Sequence, residues 1–173
     1  VDGLFGQRVL DPNLVRVSDY VSATAGGKTF ARTRITPLRA AGALERSCSK
    51  SLRLAEAIDT SKSASLMYEV ADVKAWSQLG LHLAQKLRGA VALQTYRTAG
   101  GEARKLAAIE HLTRALAHWD ELIGITRPIY KDMRLTHYNH NSFDANPDNL
   151  FHWALIRDEV ARDIEVARNA KAP

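Results

Sequence analysis

Cysteine is almost missing from this 173-residue chain: Cys48 stands alone. A single thiol excludes an internal disulfide and any cysteine-based metal or redox motif. Lying on an apolar helical stripe, it reads as a small core hydrophobe. Neither Gly-x-Ser-x-Gly nor Gly-x-Gly-x-x-Gly occurs, so a nucleophile elbow and a dinucleotide fingerprint are both absent. Long apolar runs are missing too, and none approaches the length a membrane span needs. The opening VDGLFGQRVL has no basic segment followed by an apolar one, so it does not read as a secretory leader. The first residue is Val rather than Met, which fits a processed product or an excised domain.

Charge is present in both signs. The chain carries 24 Lys and Arg against 19 Asp and Glu, for a net +5. Nucleic-acid recognition concentrates basic residues on one face. Here they alternate with acids, and the densest stretch, Arg32, Arg34 and Arg39, has no stacking platform. No nucleic-acid partner and no membrane partner is expected. With 46% hydrophobic residues, a core of ordinary size is expected within one domain.

Helical periodicity dominates the organisation. Thr36-Pro37 pairs a cap residue with a first-position proline and opens a helix whose stripe is Leu38, Ala41, Leu44, Cys48, Leu52 and Ala55. It is expected to end near Asp59. A longer helix over 64–98 follows, with Leu66, Val70, Val73, Leu87 and Val91 in helical period. Trp76, Leu79, Leu83, Ala90 and Leu93 widen that stripe, so burial on two sides is expected. Gly100-Gly101 stops it. A third helix over 102–126 carries the seam Ile109, Leu112, Leu116, Trp119 and Ile123 and is halted by Pro128. A fourth is expected from Asn146-Pro147, with Trp153, Ile156, Val160, Ile164 and Ala167 on its seam. The expectation is an all-α chain, an antiparallel four-helix bundle over 37–173. Residues 1–36 would form an irregular arm, with short strands, packed on it through Leu14, Val15, Val17, Tyr20 and Val21.

Four motifs bear on chemistry. Ser22 to Thr29 (SATAGGKT) looks like a phosphate loop without its first glycine. Such a loop needs a strand before it and a helix after it, and FARTRITP is a poor helix, so an exposed loop is expected. No Glu is followed three residues later by His, which argues against ferritin-type metal chemistry in a bundle. Glu159 and Asp163 both have basic neighbours and read as a solvated face rather than a glycosidase pair. The connection 126–146 and its flank are different. Tyr130, Tyr138, Phe143, Phe151 and Trp153 stand there with His137, His140, His152, Asn139, Asn141 and Asp144. Aromatic faces interleaved with amides and carboxylates suit pyranose rings. They equally suit a long ordered loop satisfying its own backbone. A metal reading through His137, His140 and Asp144 has no defined turn or helix behind it, so no metal and no cofactor is expected.

The stretches VDGLFGQRVLDPNLVRVSDYV, EVADVKAWSQLGLHLAQKLRGAVAL, HLTRALAHWDELIGITRPIY and LIRDEVARDIEVARN, with the Arg127–Tyr130 step, cover most of the chain. They resemble a C-terminal helical region of large bacterial polysaccharide-degrading proteins whose architecture is similar to the α-glucuronidases. The loop THYNHNSFDAN is extended relative to that pattern. Catalysis in such proteins would sit in an upstream barrel, so no catalytic residue carries over. The resemblance implies a non-catalytic accessory or carbohydrate-binding module, secreted or periplasmic, whose partners are a polysaccharide or oligosaccharide and the parent's catalytic domain. The residues singled out for ligand contact are Tyr130, His137, Tyr138, His140, Phe143 and Trp153. The alternative is a helical protein–protein interaction or self-association bundle without a small ligand, which an exposed apolar stripe on the second helix would favour.

Overall fold

Each long helix begins where a side chain can satisfy its first amides. In the computed structural model, which describes residues 1–6, 11–134 and 150–173, Thr36 Oγ1 accepts the Arg39 amide at 3.3 Å and opens α3 (Pro37–Glu56). Ser63 Oγ accepts the Leu66 amide at 3.2 Å and opens α4 (Ala64–Ala99). Such caps satisfy donors that the helix itself leaves unpaired. Gly100 and Gly101, at φ +65° and +94°, form a two-residue turn that other residue types adopt poorly. That turn returns the chain directly into α5 (Glu102–Thr126).

The described residues are all-α in class, as expected, with six helices and one two-stranded ribbon. The packing is centred on the α4/α5 hairpin. α3 lies along α4, and α6 (Arg157–Arg168) lies along α5. Leu93 and Tyr96 of α4, Ala108 and Leu112 of α5, and Ile164 and Ala167 of α6 form one buried cluster. Toward the other end, Ala75, Trp119 and Leu122 form a second. Gly89 lets the hairpin close tightly: a Cβ there would lie 2.8 Å from Leu112 Cγ.

Three hydrogen bonds cross the α4/α5 seam at nearly heptad spacing. His118 Nδ1 meets Gln78 Oε1 at 2.8 Å, His82 Nδ1 meets the Ala115 carbonyl at 2.9 Å, and His111 Nδ1 meets Gln85 Oε1 at 2.8 Å. A carbonyl oxygen only accepts, so each Nδ1 is the donor. Burial is the leading cause that pushes all three histidines below the usual imidazole range. Gln85 also donates to Glu45 of α3 at 3.0 Å, and Arg88 grips the same carboxylate through two nitrogens at 2.9 and 2.5 Å. The Arg88 hydrogen bond draws the Glu45 carboxyl below its ordinary range. Asp163 of α6, buried, binds Lys86 of α4 at 2.7 Å and the Val1 nitrogen.

Two expectations need correction. The arm is not irregular with short strands, since it holds α1 (Gly3–Gly6) and α2 (Val17–Ala25). Val17 and Val21, one helical turn apart, are buried against Ala90 of α4, and that apolar i, i+4 pair is what draws the segment into a helix. The only pairing of extended backbone in it, among the described residues, is the Leu14–Ile35 bridge. The last helix does not run from Asn146-Pro147, a step that lies outside the described residues. Leu150–Phe151 (β2) instead pairs antiparallel with Met133–Arg134 (β1), a 3-10 turn spans Trp153–Ile156, and α6 begins only at Arg157. Ladder hydrogen bonds at 150–151 are incompatible with a helix through those residues.

Candidate functional site

α4 outruns its partner. By the register of the seam, Thr126, the last residue of α5, lies level with Val70 of α4, so α4 continues about six residues, or roughly 9 Å, farther. Every residue from Ser61 to Glu69 is exposed. This two-helix tip leaves large apolar side chains uncovered. Leu54 is 60% exposed, with Ile58, Leu66 and Val73 also exposed, while Trp76, 68% exposed, lies farther along α4 beside α5. Leu54, Ile58, Leu66, Val70 and Val73 line a groove of about 270 Å³ between the helices. Scattered exposed leucines are normal on a monomer, whereas a contiguous patch marks a contact surface. The expected two-sided burial of α4 therefore holds for Ala90 and Leu93 but not for Trp76 or Leu83. The periodicity that names a stripe does not say which of its faces a partner covers.

A second feature is built where α5 ends. Trp119 Nε1 donates to the Trp153 carbonyl at 3.0 Å and fixes the 3-10 turn to α5. Arg157 grips Asp120 with bonds of 2.6 and 2.8 Å beside it. An edge-to-face series then runs outward from the core: His82 on Trp119 at 4.8 Å, Trp119 on Trp153 at 5.4 Å, and Phe151 on Trp153 at 5.0 Å. These separations lie within the favoured range for aromatic pairs. The outermost rings, with Tyr130, Met133 and His152, line a cleft of about 530 Å³. On the α4 side of Tyr130 a smaller groove of about 150 Å³ is bounded by Asp72, Trp76, Leu79 and Trp153. Tyr130 donates its hydroxyl to Asp72, and that bond raises the phenol above its usual range.

Of the residues singled out from the sequence, the structure brings Tyr130 and Trp153 together as walls of both cavities. Tyr130 is exposed and Trp153 half-buried. His137, Tyr138, His140 and Phe143 lie outside the described residues, as does Asp144 of the metal reading. Among the described residues no group of three His, Cys, Asp or Glu side chains is placed to hold a metal ion. Asp72 and Met133 had not been named, and Trp76 and His152 had been named but not as ligand contacts. Trp76 was hidden by its own period, which places it on an apolar stripe. Met133 carries no motif, because the short ribbon that positions it forms between segments distant in sequence.

The phosphate-loop resemblance finds no support in the backbone. Ser22 to Ala25 belong to the end of α2, and no helix begins between Gly27 and Pro37. No helix of the described residues is long and apolar enough to cross a membrane. Comparison with family models, curated proteins and solved structures returns no match to this chain.

Proposed function

We propose that this chain is a non-catalytic helical interaction module that self-associates through the α3/α4 tip. The observation that carries this is the solvent-exposed apolar surface of Leu54, Ile58, Leu66 and Val73, which line one groove between α3 and α4. Two such tips packed face to face would each supply the layer the other lacks, which is the self-complementary arrangement of a two-fold dimer. Aliphatic side chains of this kind offer nothing to the hydroxyls of a sugar. Light scattering and sedimentation of the wild type across a wide concentration range test the reading. A dimer is expected, and Leu66→Glu with Leu54→Glu should give a monomer of unchanged helicity. A wild type that stays monomeric up to millimolar concentration would refute it.

A second reading is favoured by the smaller groove. There the faces of Trp76 and Tyr130 flank the Asp72 carboxylate, a combination suited to a sugar ring. In that reading the chain is a carbohydrate-binding accessory module of a polysaccharide-degrading enzyme similar to the α-glucuronidases. Affinity electrophoresis against plant and algal polysaccharides, with Tyr130→Ala and Trp153→Ala as controls, separates it from the first.

A further inference from the structure

The larger cleft beside Tyr130 is a different kind of surface from the tip, and its chemistry does not depend on either reading above. Its volume, about 530 Å³, falls within the range of small-ligand pockets. Its walls are the rings of Tyr130, Phe151 and Trp153 and the thioether of Met133. Two polar features break this apolar lining. Asp132 at the rim is already paired with Arg127, while Lys131 makes no ion pair among the described residues. The rim therefore has a cation to offer.

The second feature is His152, only 2% exposed. Its Nδ1 accepts the Ala154 amide at 3.0 Å and caps the 3-10 turn. A nitrogen that accepts carries no proton, so the ring's proton sits on Nε2. That Nε2–H is buried and has no partner among the described residues. Buried donors are nearly always paired, and an exception calls for an explanation. Apolar rings on three sides, an unspent N–H donor in the wall and a cation at the rim together specify a ligand.

We propose that the cleft binds a small aromatic carboxylate, its ring among Tyr130, Phe151 and Trp153 and its carboxylate accepting from His152 Nε2–H under the field of Lys131. The nitrogen is shut off from solvent, so the acceptor reaches it only when the cleft wall around His152 gives way. A glycan would leave most of its hydroxyls facing apolar walls here, and such unpaired groups count heavily against binding.

Calorimetric titration of the full chain with naphthoate, its methyl ester and a xylo-oligosaccharide tests the assignment. Naphthoate should bind one-to-one and saturably, and the ester, lacking the charge, more weakly. His152→Asn keeps a cap acceptor for the Ala154 amide, but its shorter amide nitrogen does not reach the Nε2 position, and it should weaken naphthoate by about tenfold. Met133→Trp fills the cleft from a side chain that is 56% exposed, so it should abolish binding while leaving the fold intact. No saturable binding of naphthoate, equal binding by both variants and wild type, or binding of the oligosaccharide alone would each overturn the proposal. If His152→Asn loses its helical circular dichroism, Met133→Trp decides.

Discussion

Gly89 and Gly124 sit inside helices of the same hairpin, yet the same substitution should move stability in opposite directions. Replacing a helical glycine by alanine gains about 1 kcal/mol of helix propensity. At Gly124, which is exposed, an added Cβ meets nothing within 4 Å, so most of that gain should appear, about 0.5–1 kcal/mol. At Gly89 the new carbon would lie 2.8 and 3.0 Å from Leu112 Cγ and Cδ2 and 3.4 Å from the Ala108 carbonyl. Leu112 cannot step aside, because it is itself buried in the cluster with Leu93, Tyr96 and Ile164. Overpacking of this kind costs about 1–3 kcal/mol, which exceeds the propensity gain. Gly89→Ala should therefore be destabilised by up to about 2 kcal/mol, and the two variants should differ by roughly 2 kcal/mol. For a chain of this size each kcal/mol moves Tm by about 2–4 °C. Urea and thermal unfolding followed by circular dichroism measure this directly. If Gly89→Ala raises Tm as Gly124→Ala does, the hairpin is not packed as tightly as described.

The three seam histidines have folded pKa values depressed below the unfolded value, led by burial. The unfolded chain then binds protons more readily, so stability is full above about pH 6.5 and falls as pH drops below it through the depressed values. A Tm that stays flat from pH 7 to about pH 5 would contradict this. Glu45 acts in a separate, more acidic window. Its carboxyl is held low by Arg88, so its contribution is present above its ordinary value and lost as pH falls through the lowered one. Glu45→Gln should cost about 1 kcal/mol at neutral pH and flatten that acidic limb, as urea denaturation at several pH values will show. Burial raises the Cys48 thiol, so its reaction with a disulfide reagent near pH 8 should be slow in the folded chain and accelerate on denaturation, as absorbance of the released thiolate reports.

Helix starts and stops were legible because they rest on local chemistry. Thr36-Pro37 and Gly100-Gly101 each announce a boundary in two adjacent residues, and α5 occupies the span its seam predicts. The connection before α6 was not legible, because its short ribbon depends on Met133 meeting Phe151 across a long stretch of chain. The arm was underread for a related reason: Val17 and Val21 make a helix worth forming only once Ala90 is beneath them. At the candidate sites, Tyr130 and Trp153 stood out by composition. The exposed face of Trp76 did not, since helical period alone does not say which face of α4 a partner covers.

The tight turn at Gly100-Gly101 also bears on how the chain is made. Its two long arms are complete by Thr126, well before Arg157–Arg168 is synthesised. The hairpin can zip from the turn outward while translation continues, since its first contacts join residues close in sequence. Leu93, Tyr96, Ala108 and Leu112 then wait with one side bare until Ile164 and Ala167 arrive to close the cluster. A nascent chain halted short of α6 would display that greasy seam to chaperones, and release of the last helix is the moment at which it disappears.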